Sequence, residues 1–592
     1  MRAFEKRLAH HYRELSELYM SLYGDQTRLE ELIVGIRGFH NRRSDTLKRR
    51  DEVKGGTHWY KSGEMLGMML YIDNFAGNLK GVAEKLPYLE SANVNYIHLM
   101  PFLDTVPERS DGGYAVANFR KVRPDLGTME DLETLTAACH EKGMNICMDF
   151  VMNHTSEDHE WAERARAGEG AYMSRYFFFA DPSIPVAYEK TVPQVFPTTA
   201  PGNFTWLPDA GHWVMTTFYP YQWDLNYANP VVFNEMMYNF LYLANRGVDV
   251  VRIDAVPYIW KEIGTTCRNL PQVHTIVRMM RIIGEIVCPS VILLGEVVMA
   301  PEYLAPYFGT VEKPECHLLY NCTTMATTWH TVATRDVRLL RFQLDTVAKL
   351  PKEQVFLNYL RCHDDIGWGL DYPWLRQWGM EEVPHKKYLN DYFRGLTGAD
   401  ARGELYNEDP VTGDARLCGT TASLCGMEGA DKDTAIQKNL MLHAMMLFQS
   451  GIPVLYSGDE IGQINDWDYK QDPNKVQDSR YLHRGKMLWG MTKNCTDNPI
   501  FIGLKVLEDL RRSHRAFAAN ADFWTFDTGS DTVLGLGRWL EGEKLIGLFN
   551  FGDDAISVNL PIHGGINLLT AEPVGSNAQL ARQGFLWVRV TE

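Results

Sequence analysis

The sequence predicts an α/β protein: a (β/α)8 TIM barrel with an N-terminal helical domain, two inserted lid subdomains and a C-terminal antiparallel β-domain. Three observations carry this expectation. Short, nearly continuous apolar runs recur along the chain, the pattern of parallel strands buried on both faces. Eight of them can be placed, at Leu66–Ile72, Tyr96–Met100, Met144–Phe150, Val248–Asp254, Val291–Glu296, His317–Tyr320, Val355–Cys362 and Pro453–Ser457, with amphipathic helical stretches between most of them. Several of these runs end in Asp, Glu, His or Arg, and the carboxyl ends of strands are where a parallel barrel assembles a site.

Each region follows from its own pattern. Phe4, Leu8, Tyr12, Leu15, Leu18 and Leu22 recur at helical spacing between charges, which predicts a helical domain over 1–65. It is expected to pack on the barrel or on another subunit. Barrel sequence then occupies 66–154, 217–366 and 431–516. Two long connections interrupt it, at 155–216 after the third strand and 367–430 after the seventh. Connections of this length inside a compact domain are usually functional lids, and these two would overhang the catalytic face. From Phe517 to the end, over 517–592, short alternating strands with Gly, Asp and Asn turns predict a small antiparallel β-domain.

Composition excludes several function classes. The net charge of −16 argues against nucleic acid and anionic membranes as partners. The ten cysteines form no Cys-x-x-Cys pair, so neither a disulfide framework nor a zinc site is indicated. The N-terminal residues lack the apolar core of a signal peptide, and no run approaches the ~20 apolar residues of a membrane span. A cytoplasmic protein is the expectation, and oligomeric state is not legible.

The chemistry centres on Val251-Arg252-Ile-Asp254. Strand side chains alternate faces, so Arg252 and Asp254 point to one side. A fixed cation beside a carboxylate lowers its pKa and keeps it ionised, as a carboxylate nucleophile requires. A structural salt bridge is the commoner reading of such a pair in isolation. Glu296, at the end of the next strand, suits the opposite role, because a less polar setting and anionic neighbours would raise its pKa. Cleavage of a glycosidic bond with retention needs one carboxylate of each kind, about 5–5.5 Å apart.

With Asp149-Phe-Val-Met-Asn153-His154, Gly295-Glu296 and His363-Asp364, this run resembles the α-amylase family of retaining glycosidases. Ser110-Asp111-Gly-Gly-Tyr114, Phe218-Tyr-Pro-Tyr-Gln222-Trp-Asp, His363-Asp-Asp365-Ile-Gly-Trp368 and Asp478-Ser-Arg480-Tyr-Leu-His-Arg484 narrow the resemblance to the amylosucrase and sucrose hydrolase branch. The resemblance implies Asp254 as nucleophile, Glu296 as acid and Asp364 as the third carboxylate. It implies His154, His363, Tyr114, Phe218, Gln222 and Arg252 around the glucosyl pocket, with Asp111 and Arg480 paired across its floor. Asp365, Arg416 and Lys386 match acceptor-binding positions, Lys386 standing where a related pattern has arginine. Sucrose as substrate, an α-glucan acceptor and fructose release follow from the same resemblance. A sucrose hydrolase is the near alternative; an inert sugar-binding subunit on the same barrel is the alternative of another class. Asp149 and Asn153 lie where some family members bind calcium, but no cofactor or metal is expected.

Overall fold

The computed structural model describes residues 2–299, 301–493 and 495–591. Eight parallel strands close into a barrel. They are β1 (Gly67–Leu70), β2 (Tyr96–Leu99), β3 (Asn145–Val151), β4 (Val250–Asp254), β5 (Ile292–Gly295), β6 (Leu318–Tyr320), β7 (Val355–Asn358) and β8 (Ile452–Tyr456). Each of the eight apolar runs overlaps one of these strands, β3 ending one residue past its run and β8 starting one residue before its run. Most strands are shorter than their runs, because the polar tips leave the ladder to form the site. β7 stops at Asn358, five residues before His363. All eight are buried along their whole length, as strands covered by helices outside and packed side chains inside must be.

The N-terminal segment forms three helices, α1 (Arg2–Tyr23), α2 (Gln26–Arg42) and α3 (Asp45–Lys54). Asp25 and Ser44 cap the second and third by accepting from backbone N–H groups. The helices pack on the barrel, α1 against α5 (Pro271–Val287) and α2 against α4 (Pro230–Ala244). Gly35 lets α2 approach closely, since a Cβ there would lie 2.2 Å from the Tyr238 ring. Two polar contacts fix the docking: Tyr19 donates to Asn234 (3.0 Å), and Arg278 pairs with Glu14 (2.7 Å). Arg43, just past α2, forks onto Asp51 at 2.7 and 2.9 Å and donates to the Ala244 carbonyl at 2.9 Å.

Both long connections carry small sheets of their own. The first, between β3 and α4, holds a three-stranded antiparallel sheet from residues 178–179, 204–207 and 212–215. Its two roots pair with each other, Asp224 opposite His154 and Gln222 opposite Ser156. The second holds strands 366–367, 404–406 and 416–418 and the helix α6 (Glu382–Phe393). The C-terminal region forms a six-stranded antiparallel sheet with a separate two-stranded ladder. Arg538 joins it to the barrel: fully buried, it donates to the carbonyls of Phe448, Gln449, Ala516 and Ala518. Among the described residues no helix is long and apolar enough to cross a membrane.

The Arg43–Asp51 pair is almost wholly buried, with side chains 1% and 4% exposed. Removing one partner leaves the other charge uncompensated. Asp51→Ala should therefore cost about 3–5 kcal/mol in chemical denaturation; a loss below about 1 kcal/mol would mean that the backbone carbonyl satisfies Arg43 unaided.

Candidate active site

The site is built on the register of three neighbouring strands. Parallel pairing sets Arg252 of β4 beside Asp149 of β3 and Ile253 beside Gly295 of β5. Arg252 therefore lies between the carboxylates that end its two neighbours. One guanidinium nitrogen contacts Asp149 at 2.7 Å and also Asp254; the other contacts Glu296 at 2.6 Å. The arginine side chain is 2% exposed. Asp149 takes a further bond from His98 at 2.9 Å. Gly295, just before Glu296, lets β5 pack closely on β6, since a Cβ there would sit 2.8 Å from both Cys316 and Leu319.

Immediately after Asp254, Ala255 adopts a left-handed conformation (φ 48°, ψ 41°), which alanine rarely adopts. The turn directs its N–H onto Glu296 at 3.0 Å. Local strain thus helps fix the second carboxylate.

The electrostatic balance differs from the expectation that Arg252 holds Asp254 ionised. Burial, then the charge of Glu296, push the Asp254 carboxyl well above its usual range against the pull of Arg252. Burial likewise raises Glu296, with Asp364 and Asp149 adding to the effect and Arg252 opposing it. The reason is a shared cation: Arg252 serves three carboxylates, so Asp254 and Glu296 compete for one charge and each binds a proton more readily than an ordinary carboxyl. Asp364 behaves oppositely. Against burial, His363, Arg484, Arg480 and Arg252 hold it down to about 2.

Residues from several elements surround these carboxylates. Tyr114 donates to Asp149 (3.1 Å), meets His363 Nε2 at 2.6 Å and stacks on its ring at a centroid distance of 5.4 Å. His154 Nε2 lies 3.2 Å from the Tyr114 carbonyl, and its ring is 5.4 Å from Phe218, which in turn is 5.2 Å from Tyr258. Burial pushes the imidazoles of His154 and His363 down to about 4 and about 3, so both are neutral near pH 7.

At one side of the site Arg480 pairs with Asp111 at 2.8 Å and with Asp478 at 2.7 Å. Gln222, fully buried, donates to Asp111 at 3.3 Å. The side chains of Arg480 and Asp111 are 7% and 11% exposed, so this is a buried pair and not a solvated one. Asp111 itself has φ 48° and opens a turn continued by Gly112 and Gly113 at φ 67° and 98°.

The remaining two acceptor positions separate. Arg416 lies opposite Gly367 in the second lid, half-exposed and 3.9 Å from Asp365. Lys386 is not presented to the pocket: its ammonium is held inside the lid by Glu382 at 2.8 Å and Asp414 at 2.5 Å, with the side chain 9% exposed. Two carboxylates within reach neutralise it there.

Several contacts are invisible to motif reading. Tyr219 of the first lid meets Tyr406 of the second, hydroxyl to hydroxyl, at 2.6 Å, and Arg480 lies over the Tyr406 ring at 5.1 Å. Lys261 bridges Asn153 (2.7 Å) and Asp224 (2.9 Å), so the asparagine's oxygen already accepts from an ammonium group. Arg484, one turn after Arg480 in the quoted motif, lies 3.5 Å from Asp364; the four-residue spacing from Arg480 was the available signal.

Residues 38–365 match the family described as Alpha amylase, catalytic domain, which is more than half of the 592 residues. The chain belongs to the α-amylase family. It is 31% identical over 573 residues to a glucosylglycerate phosphorylase of Allomeiothermus silvanus, covering 93% of this chain and 94% of that protein. The Escherichia coli glucosylglycerate phosphorylase is 26% identical over 590 residues, 97% and 99% of the two chains. A trehalose synthase/amylase of Mycolicibacterium smegmatis is 30% identical over 413 residues, 69% of this chain. The chain spans only 64%, 40% and 63% of the lengths of three trehalose synthases that it matches. In fold it resembles the trehalulose synthase MutB of Pseudomonas mesoacidophila, with a TM-score of 0.68 over 90% of this chain and 100% of that one at 20% identity.

Stability should record the upward push on Glu296. The folded-state pKa of Glu296 lies above its unfolded value, so the stability it contributes is complete below that unfolded value and is lost as pH rises through the folded one. Glu296→Gln removes this dependence. The variant should melt above wild type at about pH 8, with the gap closing toward about pH 4. A gap that is constant with pH would show that Glu296 titrates normally.

Proposed function

We propose that this protein is an amylosucrase-type glucosyltransferase, which cleaves sucrose with retention and passes the glucosyl group to the 4-hydroxyl of an α-1,4-glucan. The buried Asp111–Arg480 pair carries this reading. Buried beside the contact where the two lids meet, it closes that side of the site behind one glucosyl unit and turns back longer chains, which fits a terminal glucosyl donor.

In this mechanism the proton that the leaving group takes resides on Glu296. A carboxylate oxygen of Asp254 attacks the anomeric carbon as the bond to the fructosyl oxygen breaks, and that oxygen leaves with the Glu296 proton. The glucosyl ester on Asp254 is then attacked by an acceptor hydroxyl, whose proton returns to Glu296. Asp364, held ionised, grips sugar hydroxyls beside the reacting carbon and offsets the positive charge that develops there. Neutral His154 and His363 line the sugar subsite with their single N–H groups turned to Tyr114, while Tyr114 and Phe218 supply aromatic surface. Arg252 orients the carboxylates from beneath. Arg416 and Asp365 line the acceptor side, and Lys386 acts by bracing the lid.

Partition between glucan and water rests on the lids. A bound glucan end presents its hydroxyl at high effective concentration beside the anomeric carbon, where water otherwise wins by abundance. A second reading has a specific observation behind it: two relatives that span over nine-tenths of this chain are named glucosylglycerate phosphorylase. Under that reading the acceptor is phosphate and the donor carries a carboxylate.

One set of assays separates these readings. Sucrose alone should release fructose in excess of free glucose, and added glycogen should raise fructose while lowering the glucose fraction. Equal glucose and fructose at every acceptor concentration would make this a hydrolase. Glucose 1-phosphate formed from glucosylglycerate and phosphate, with sucrose untouched, would make it a phosphorylase.

Two substitutions test the roles. Asp254→Asn should abolish fructose release with the circular dichroism unchanged. Arg416→Ala should move product toward glucose and largely spare sucrose cleavage.

A further inference from the structure

We infer that Arg484 is a positioning residue that sets the third carboxylate, Asp364, in its working orientation from beneath the sugar pocket; this rests on the retaining glucosyl-transfer reading above. Arg484 is buried, its side chain 2% exposed, and its Nε donates to the His363 carbonyl at 2.7 Å. One terminal nitrogen lies 3.5 Å from the Asp364 carboxylate. Neither terminal nitrogen has a hydrogen-bond partner, and the neighbouring Tyr71 hydroxyl is buried and unpartnered as well. A buried guanidinium with spare donors is costly unless they are used in the working complex.

The surrounding backbone is shaped to admit this side chain. A Cβ on Gly112 would lie 2.9 Å from Arg484 Nη1 and 2.8 Å from the Tyr71 hydroxyl. The guanidinium lies over the Tyr71 ring at 5.6 Å, and Asn74 donates to the Arg484 carbonyl at 2.8 Å. Arg484 thus joins the β1 end, the Asp111–Gly113 turn and the polar tip that follows β7.

Other groups face Asp364 but are otherwise engaged. Arg480 is 4.0 Å away and already holds Asp111 and Asp478. Arg252 serves three other carboxylates. His363, at 3.2 Å, is neutral and bonded to Tyr114. Arg361 donates to the Asp364 backbone carbonyl at 2.9 Å and fixes only the main chain. Glu296 and Asp365 are nearby carboxyl groups that burial pushes upward, and Tyr71 and Tyr114 are neutral phenols. Arg484 is therefore the cation whose free donors can follow the carboxylate as a sugar hydroxyl arrives.

The test compares wild type, Arg484→Gln and Arg484→Lys on sucrose and on α-glucosyl fluoride, with kcat/KM followed against pH. Arg484→Gln should lower kcat/KM on both donors by about a hundredfold. It should also move the acid limb to higher pH, because the cluster of Asp364, Glu296 and Asp254 loses one of the cations that favour its ionised form. Arg484→Lys keeps the charge and should hold the acid limb near its wild-type position while recovering part of the rate. A rate loss with an unmoved acid limb, or equal acid limbs in the two variants, would overturn the assignment. If the glutamine variant does not fold, the lysine variant decides alone: a shifted acid limb there overturns it, and an unshifted limb with reduced kcat supports it. Wild-type turnover of α-glucosyl fluoride without turnover of sucrose would reject the proposed substrate and still leave the role of Arg484 testable.

Discussion

One buried guanidinium organises this site. Arg252 divides its terminal nitrogens between Asp149, Asp254 and Glu296, which end three adjacent strands. Barrel register brings those strands together, and the arginine converts their proximity into a fixed geometry. Without it, three carboxylates crowded in a low-dielectric interior would repel one another and take up protons. With it, the charge is only partly balanced. That shortfall raises both Asp254 and Glu296 and leaves a proton available to a leaving group.

The lids complete what the barrel begins. The first is fixed at its roots by the ladder between residues 154–156 and 222–224 and by Lys261, which bridges Asn153 to Asp224. The second is rooted next to Asp364 and Asp365. They meet through Tyr219 and Tyr406, close to the Arg480 that closes the pocket. Relatives named for trehalose, glucosylglycerate and trehalulose share this family or fold.

Much of the architecture was legible because it depends on local pattern. Apolar runs of four to eight residues marked all eight barrel strands, and composition changes marked the two insertions and the terminal β-region. The carboxylates could be read as well, since each sits at a strand tip. Contacts between distant segments could not. Nothing local to Tyr219 points to Tyr406, and nothing local to Lys261 points to Asp224. The pairing of Lys386 was hidden for a related reason. Its charge is visible in sequence, but Asp414, the carboxylate that helps neutralise it, lies 28 residues away. The upward push on the Asp254 carboxyl was hidden because the sequence shows its cation two residues away and conceals the two other carboxylates that share it.

The most direct test of this account is to trap the intermediate. Incubation with a slow-turnover 5-fluoro-α-glucosyl fluoride, followed by proteolysis and mass spectrometry, locates the covalent sugar. The account predicts a fluoroglucosyl ester on the peptide containing Asp254, formed in step with loss of activity. An ester on Glu296 or Asp364, or inactivation without any covalent adduct, would contradict it.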